Sequence, residues 1–269
     1  MNFIYKSGKL FAVILCTVIS LQTVTYSQNT TETADGENIA VQASVSEAAP
    51  TTTPTPTPTL TPIPASEGAE PAIEIPESVL KDLNRHWAAD NIIRLYKKNI
   101  INGYADGKIR PDNTINRNEV SVILFKLLGV NEDSSLDIYF KDKASIPGWV
   151  KPCLCVLYNY DIMNGLEDNT FRGDKSFTRA EAAVVLVKTL NCLDREIMSE
   201  SDTPENFIPQ EITKYKDYNK KHWANFYLDK AIAKDLMKGY ADGVIRPDQN
   251  ITRAEFFSMC TNLLDLSKK

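Results

Sequence analysis

Residues 86–119 read HWAADNIIRLYKKNIINGYADGKIRPDNTINRNE, residues 148–181 read GWVKPCLCVLYNYDIMNGLEDNTFRGDKSFTRAE, and residues 222–255 read HWANFYLDKAIAKDLMKGYADGVIRPDQNITRAE. The three align without a gap. In each, tryptophan (Trp87, Trp149, Trp223) stands 16 residues before glycine (Gly103, Gly165, Gly239) and 30 before arginine (Arg117, Arg179, Arg253). Apolar residues follow each arginine at helical spacing: Val120, Ile123, Leu124, Leu127 and Leu128; Ala182, Val185, Leu186, Thr189 and Leu190; Phe256, Met259, Cys260, Leu263 and Leu264. The stretch from tryptophan to glycine is helical too, with Ile92, Leu95, Tyr96 and Ile100 answered by Leu154, Leu157, Tyr158 and Ile162. Each repeat is therefore helix, loop, helix. One helix pair cannot bury both apolar faces, so the expected fold is mainly all-α, with three units sharing a core.

The loops NGYADGKIRPD, NGLEDNTFRGD and KGYADGVIRPD begin with a glycine suited to the left-handed backbone that ends a helix. Their Asp-Gly or Asp-Asn step reads as a structural turn, because the alternating oxygen ligands of a calcium loop are missing. Thr178 with Glu181, Thr252 with Glu255, and Asn116 with Glu119 form capping boxes at the start of each second helix. The arginine inside each box is not explained that way, since a cation in the first turn opposes the macrodipole. Two partners would favour it. One is an internal carboxylate, with Asp82, Asp142 and Asp217 ahead of the tryptophans as candidates; the other is an anionic ligand that uses the guanidinium fork and the helix N-terminal amides. Tryptophan reads as a core residue closing the repeat or as a flat surface for a sugar ring. Arg110, Arg172 and Arg246 form a further column, as loop braces or secondary ligand contacts.

The ends differ from the repeats. Residues 1–27, with Lys6, Lys9 and an apolar run from Leu10 to Val24, read as a secretory signal peptide. Cys16 within it follows Leu15, so a lipidation signal is not matched. Residues 28–76 are rich in Thr and Pro, and PTTTPTPTPTLTPIP cannot build a core, so a disordered spacer, plain or sugar-decorated, is expected. The repeats then occupy 77–135, 136–196 and 210–269. A net charge of −5 leaves no basic footprint for nucleic acid or an anionic membrane surface. His86 and His222 hold equivalent repeat positions and read as turn or packing residues rather than ligands, and Cys192 and Cys260 fall in apolar columns as fillers. A disulfide from Cys153 or Cys155 to Cys192 stays open. No nucleophile with its base, tuned acid/base pair or metal cluster stands out, so no catalytic residue, metal or cofactor is assigned, and the chain is read as no enzyme.

At HWA, the GY-x-DG loop and TRAE the sequence resembles the S-layer homology family, over about Ser78 to Leu266 in three copies. The resemblance implies a pseudo-threefold assembly around a shared helical bundle, with grooves between neighbouring repeats. It further implies a secreted bacterial surface protein, with the cell wall or S-layer as its location. Its partner would be secondary cell-wall polysaccharide, often pyruvylated, with S-layer neighbours beside it and no membrane once the signal is cleaved. Carried over by position, the polymer would be held by Asp82, Trp87, Gly103 and Arg117; by Asp142, Trp149, Gly165 and Arg179; and by Asp217, Trp223, Gly239 and Arg253. The alternative is a wall-associated display or adhesion protein whose spacer carries a further role. Repeat two departs most, with Gly148 for His, Leu166 for Tyr, Asn169 for Gly and Gly173 for Pro, so its groove is expected to be altered.

Overall fold

The computed structural model describes residues 74–193, 204 and 206–267. The expected signal peptide, and the spacer except for its last residues, lie outside them, as does Cys16. Among the described residues there are seven α-helices and no strand: α1 (Glu77–Asp82), α2 (Ala89–Lys97), α3 (Arg117–Leu128), α4 (Lys151–Asn159), α5 (Arg179–Leu193), α6 (Asn225–Ala233) and α7 (Arg253–Leu266). Short 3-10 turns at Lys143–Ser145 and Ile212–Lys214 lead into repeats two and three.

Helices of one repeat do not pair chiefly with each other. The first helix of each repeat packs on the second helix of the preceding one: α4 on α3, α6 on α5, and α2 on α7. The last pairing brings the start of the described chain onto its end and makes the order cyclic. Helix α5 also touches both α3 and α7. The apolar columns after the arginines are buried as their spacing requires, from Val120 and Leu124 through Leu186 to Phe256 and Cys260. Phe177 and Phe256 meet edge to face, with ring centroids 6.4 Å apart.

The threefold closure is carried by backbone as well. Just ahead of the second helices, Ile115 N–H donates to Ile251 C=O (3.2 Å), Ile251 N–H to Phe177 C=O (2.8 Å), and Phe177 N–H to Ile115 C=O (2.9 Å). Three apolar residues, all fully buried, thus satisfy one another's amides in a ring. Each repeat supplies one donor and one acceptor, so no one repeat can close the ring.

Three expectations need correction. The tryptophans are not core residues: Trp87, Trp149 and Trp223 remain 65%, 60% and 50% exposed. Ala88, Val150 and Ala224 beside them are the residues that go inside. The first helices are also shorter than the tryptophan-to-glycine span. They stop at left-handed Asn99, Asp161 and Asp235 (φ 55–57°), where Ile100, Ile162 and Leu236 amides close a final turn onto Leu95, Leu157 and Ala231. Asn and Asp tolerate that conformation better than other side chains. Gly103, Gly165 and Gly239 therefore end no helix, and they are glycine for a different reason. A Cβ would stand 2.7 Å from the Phe140 ring at Gly165, 2.1 Å from the Tyr215 ring at Gly239, and 3.1 Å from the Lys108 carbonyl at Gly103.

Candidate functional site

Of the positions singled out by sequence, the arginines lie where one repeat's second helix begins against the next repeat's loop, and the leading aspartates bond that same loop. Each helix start is fully satisfied there. The cap N–H is not available to a ligand, because Asn116, Thr178 and Thr252 N–H donate to Oε2 of Glu119, Glu181 and Glu255. The glutamate amides return to the cap side chains. The two remaining amides cross to the neighbouring repeat. Arg117, Arg179 and Arg253 N–H donate to the carbonyls of Lys175, Gln249 and Asn113, and Asn118, Ala180 and Ala254 N–H to those of Gly173, Pro247 and Pro111. The helix N-terminal amides expected to meet an anion are thus occupied by the next repeat's loop.

The arginines follow the same cyclic rule. Each is 4% exposed. Nε donates to a carbonyl of the following repeat, Phe171 for Arg117, Ile245 for Arg179 and Ile109 for Arg253, at 2.8 Å in every case. Nη2 of Arg117 and Arg179 reaches the Asn164 and Lys238 carbonyls as well. The carboxylate facing Nη1 is the neighbour's capping-box glutamate rather than a leading aspartate: Glu119 for Arg253 at 2.8 Å, Glu255 for Arg179 at 3.4 Å, and Glu181 for Arg117 at 3.7 Å. Burial pulls the Arg117 guanidinium down from its ordinary value, against the opposing pull of Glu181 and Asp142. Each glutamate therefore works with both oxygens, Oε2 on its own cap and Oε1 on the arginine that arrives from next door. This division of labour was hidden in the sequence because a capping box explains Glu completely.

A tyrosine completes two of the three junctions. Tyr104 and Tyr240 hydroxyls donate to Glu119 and Glu255 Oε1 at 2.8 and 2.5 Å. Each ring lies between its own loop's arginine and the neighbour's, with Arg110 and Arg253 at 4.4 and 4.7 Å from the Tyr104 centroid and Arg246 and Arg179 at 4.4 and 4.5 Å from that of Tyr240. Burial first, and the bond to Glu255 second, push the Tyr240 phenol up to about 12. Repeat two has Leu166 in this place, and Lys175 Nζ takes over the bond to Glu181 Oε1 at 3.1 Å. Its neighbours Asn113 and Gln249 show that Lys175 is a change particular to this repeat.

The leading aspartates brace the loops instead of pairing with the arginines. Asp82 accepts from Ile109 and Arg110 amides, Asp142 from those of Phe171 and Arg172, and Asp217 from those of Ile245 and Arg246, all at 2.7–2.9 Å. Those bonds hold Arg110, Arg172 and Arg246 in left-handed backbone at φ 51–53°. The same three side chains pair with Asp106, Asp168 and Asp242 four residues back, so this column braces its loop. In repeat two the Thr170 hydroxyl, with Arg172 adding to it, holds the Asp168 carboxyl at about 2. His86 and His222 accept Ala88 and Ala224 amides at Nδ1 and reach Asp112 and Asp248 through Nε2, as turn residues. Cys153, Cys155 and Cys260 are thiols, so the disulfide to Cys192 is not formed.

The large hydrophobics left open to solvent include one tryptophan ring per repeat, besides Leu80, Tyr139 and Ile208, and two of these tryptophans lie against the preceding histidine at 5.6 and 5.8 Å.

The S-layer homology domain model matches this chain at residues 79–121, 139–183 and 214–257. Among similar proteins, a cellulosome-anchoring protein of Acetivibrio thermocellus is 35% identical over 61% of this chain and 35% of its own length. A surface-layer 125 kDa protein of Lysinibacillus sphaericus is 28% identical over 71% of this chain and 16% of its own length. An endoglucanase of a Bacillus species is 27% identical over 66% of this chain and 18% of its own. The chain thus spans about a third of the first relative and less of the others. The repeat columns, the cyclic helix pairing and these matches agree: the chain belongs to the S-layer homology family, as three tandem domains closed into one ring.

Proposed function

We propose that this protein is held non-covalently on the bacterial cell surface, without catalysis, by binding an anionic, pyruvylated wall polysaccharide in the grooves between repeats. The observation that carries this reading is the exposure of Trp87, Trp149 and Trp223 at equivalent positions of the three repeats. Each indole keeps half or more of its surface in solvent, and a flat apolar face suits a sugar ring. Family membership and the names of two relatives, an anchoring protein and a surface-layer protein, support the same reading. Asp82, Asp142 and Asp217, the three loop glycines and the motif arginines shape the walls. The arginines, each paired with a neighbour's glutamate, hold the groove walls in place.

The test is sedimentation of the full chain with purified walls, before and after the polysaccharide is stripped. Binding should vanish with the polymer and fall sharply in the Trp87→Ala, Trp149→Ala, Trp223→Ala triple variant. Equal sedimentation with stripped walls would overturn the reading.

A further inference from the structure

Among the described residues, four steps place a glycine nitrogen directly after a side chain that it can attack: Asn102-Gly103, Asp106-Gly107, Asn164-Gly165 and Asp242-Gly243. Glycine has no Cβ to shield its nitrogen, so at such steps an amide or carboxyl side chain closes most readily onto the backbone. Three of the four are braced. Gly107 and Gly243 N–H donate to the Tyr104 and Tyr240 carbonyls at 2.8 and 2.9 Å, while Asp106 and Asp242 are paired with Arg110 and Arg246. Asn164 Nδ2 donates to Asp161 Oδ1 at 2.7 Å, and the Asn164 carbonyl accepts from Arg117 Nη2 at 2.6 Å.

Asn102-Gly103 has none of these restraints. Asn102 is exposed, and neither its side-chain amide nor the Gly103 N–H has a hydrogen bond among the described residues. Repeat three shows what holds a loop glycine at this place, for Gly239 N–H donates to the Tyr215 hydroxyl at 3.1 Å. The equivalent residue of repeat one is Leu80, which has no oxygen to offer. The glycine itself is required, because a Cβ at Gly103 would stand 3.1 Å from the Lys108 carbonyl. The fold thus keeps a reactive pair and leaves both of its members unbonded.

We infer that Asn102 is a site of spontaneous deamidation, selected over Asn164 by the fold. Gly103 N, on losing its proton to solvent base, attacks Asn102 Cγ; the new C–N bond closes a succinimide, and the side-chain nitrogen leaves as ammonia. Water then opens the ring at either imide carbonyl, so water is consumed and ammonia released in equal amount. The product is an aspartyl or an isoaspartyl residue. The isoaspartyl form lengthens the backbone just ahead of Tyr104, whose hydroxyl donates to Glu119 and whose ring lies 4.7 Å from Arg253. These contacts, with the Arg253–Glu119 pair, fasten repeat three to repeat one, which are not consecutive in the chain. Ageing at Asn102 therefore loosens the ring at its closure, whatever the ring binds.

The experiment incubates the full chain at mildly alkaline pH and follows the Asn102 and Asn164 peptides by tandem mass spectrometry, which reads the mass gained when amide becomes acid. Labelling with an isoaspartyl methyltransferase marks the rearranged product. Asn102 should convert at least about tenfold faster than Asn164 in the folded chain, and the two rates should converge in urea, where both steps lose their surroundings. Aged wild type should melt a few degrees below fresh protein. Asn102→Gln, whose longer side chain closes far more slowly, should keep its melting temperature on ageing. Equal rates at Asn102 and Asn164 in the folded chain, no conversion of Asn102 there, or the same difference in urea would overturn the selection by the fold. An equal fall in the melting temperature of aged Asn102→Gln would overturn the link to ring closure.

Discussion

Arg253 Nη1 lies 2.8 Å from Glu119 Oε1, joining residues 134 apart in sequence and fastening the last helix of the described chain to the first repeat. Glu119 at the same time caps α3 and accepts from Tyr104. Replacing it with Ala removes the cap's partner and leaves a buried guanidinium facing no carboxylate. We expect a loss of about 3–5 kcal/mol, the usual cost of breaking a buried pair from one side. Glu119→Gln keeps the cap geometry and should cost less. Urea denaturation of the three proteins checks the order.

The elevated Tyr240 phenol sets a pH dependence. An unfolded tyrosine releases its proton near about 10, whereas the folded one holds it to about 12. The folded state therefore binds more protons in that window, so this contribution is intact below about pH 10 and is lost as pH rises toward about 12. Denaturation midpoints measured from about pH 9 to about pH 11 should fall in the wild type and flatten in Tyr240→Phe. Parallel slopes would refute the assignment.

Gly173 and Asn118 should behave as a coupled pair. Gly173→Ala drives a methyl to within 2.0 Å of Asn118 Oδ1 and should cost about 1–3 kcal/mol as overpacking. In an Asn118→Ala background the same change should cost little, giving a coupling of at least about 1 kcal/mol in a double-mutant cycle. Additive effects would show that the two do not meet.

Tryptophan and arginine variants should separate binding from folding. Trp87→Ala, Trp149→Ala and Trp223→Ala remove exposed rings, so each should leave stability within about 0.5 kcal/mol. Arg179→Ala removes a buried side chain that bonds Ile245, Lys238 and Glu255, and should lower the melting temperature strongly. Wall binding lost by the arginine variant alone would therefore report on folding. Thermal melts run beside the sedimentation assay make the distinction.

Repeat two was expected to have an altered groove, and the structure shows its departures to be matched ones. Leu166 loses the tyrosine hydroxyl and Lys175 replaces its bond; Gly173 loses the proline ring and Asn118 enters the room. Each partner lies in plain sight in the sequence. That they are partners was invisible, because Asn118 and Gly173 belong to different repeats.

The sequence by itself determined the number of repeats, the helices that follow Arg117, Arg179 and Arg253, their caps, and the apolar faces that go inside. Those features depend on residues within a few positions of each other, and local spacing carries them. Only the tertiary structure decided that the tryptophans stay outside, that Gly165 and Gly239 yield to neighbouring rings and Gly103 to a carbonyl, and that each arginine and the amides its capping box leaves over are satisfied by the next repeat. The physical reason is closure: the two amides that each capping box leaves over, and each buried arginine, find their acceptors across a junction, and no single repeat contains both sides of one.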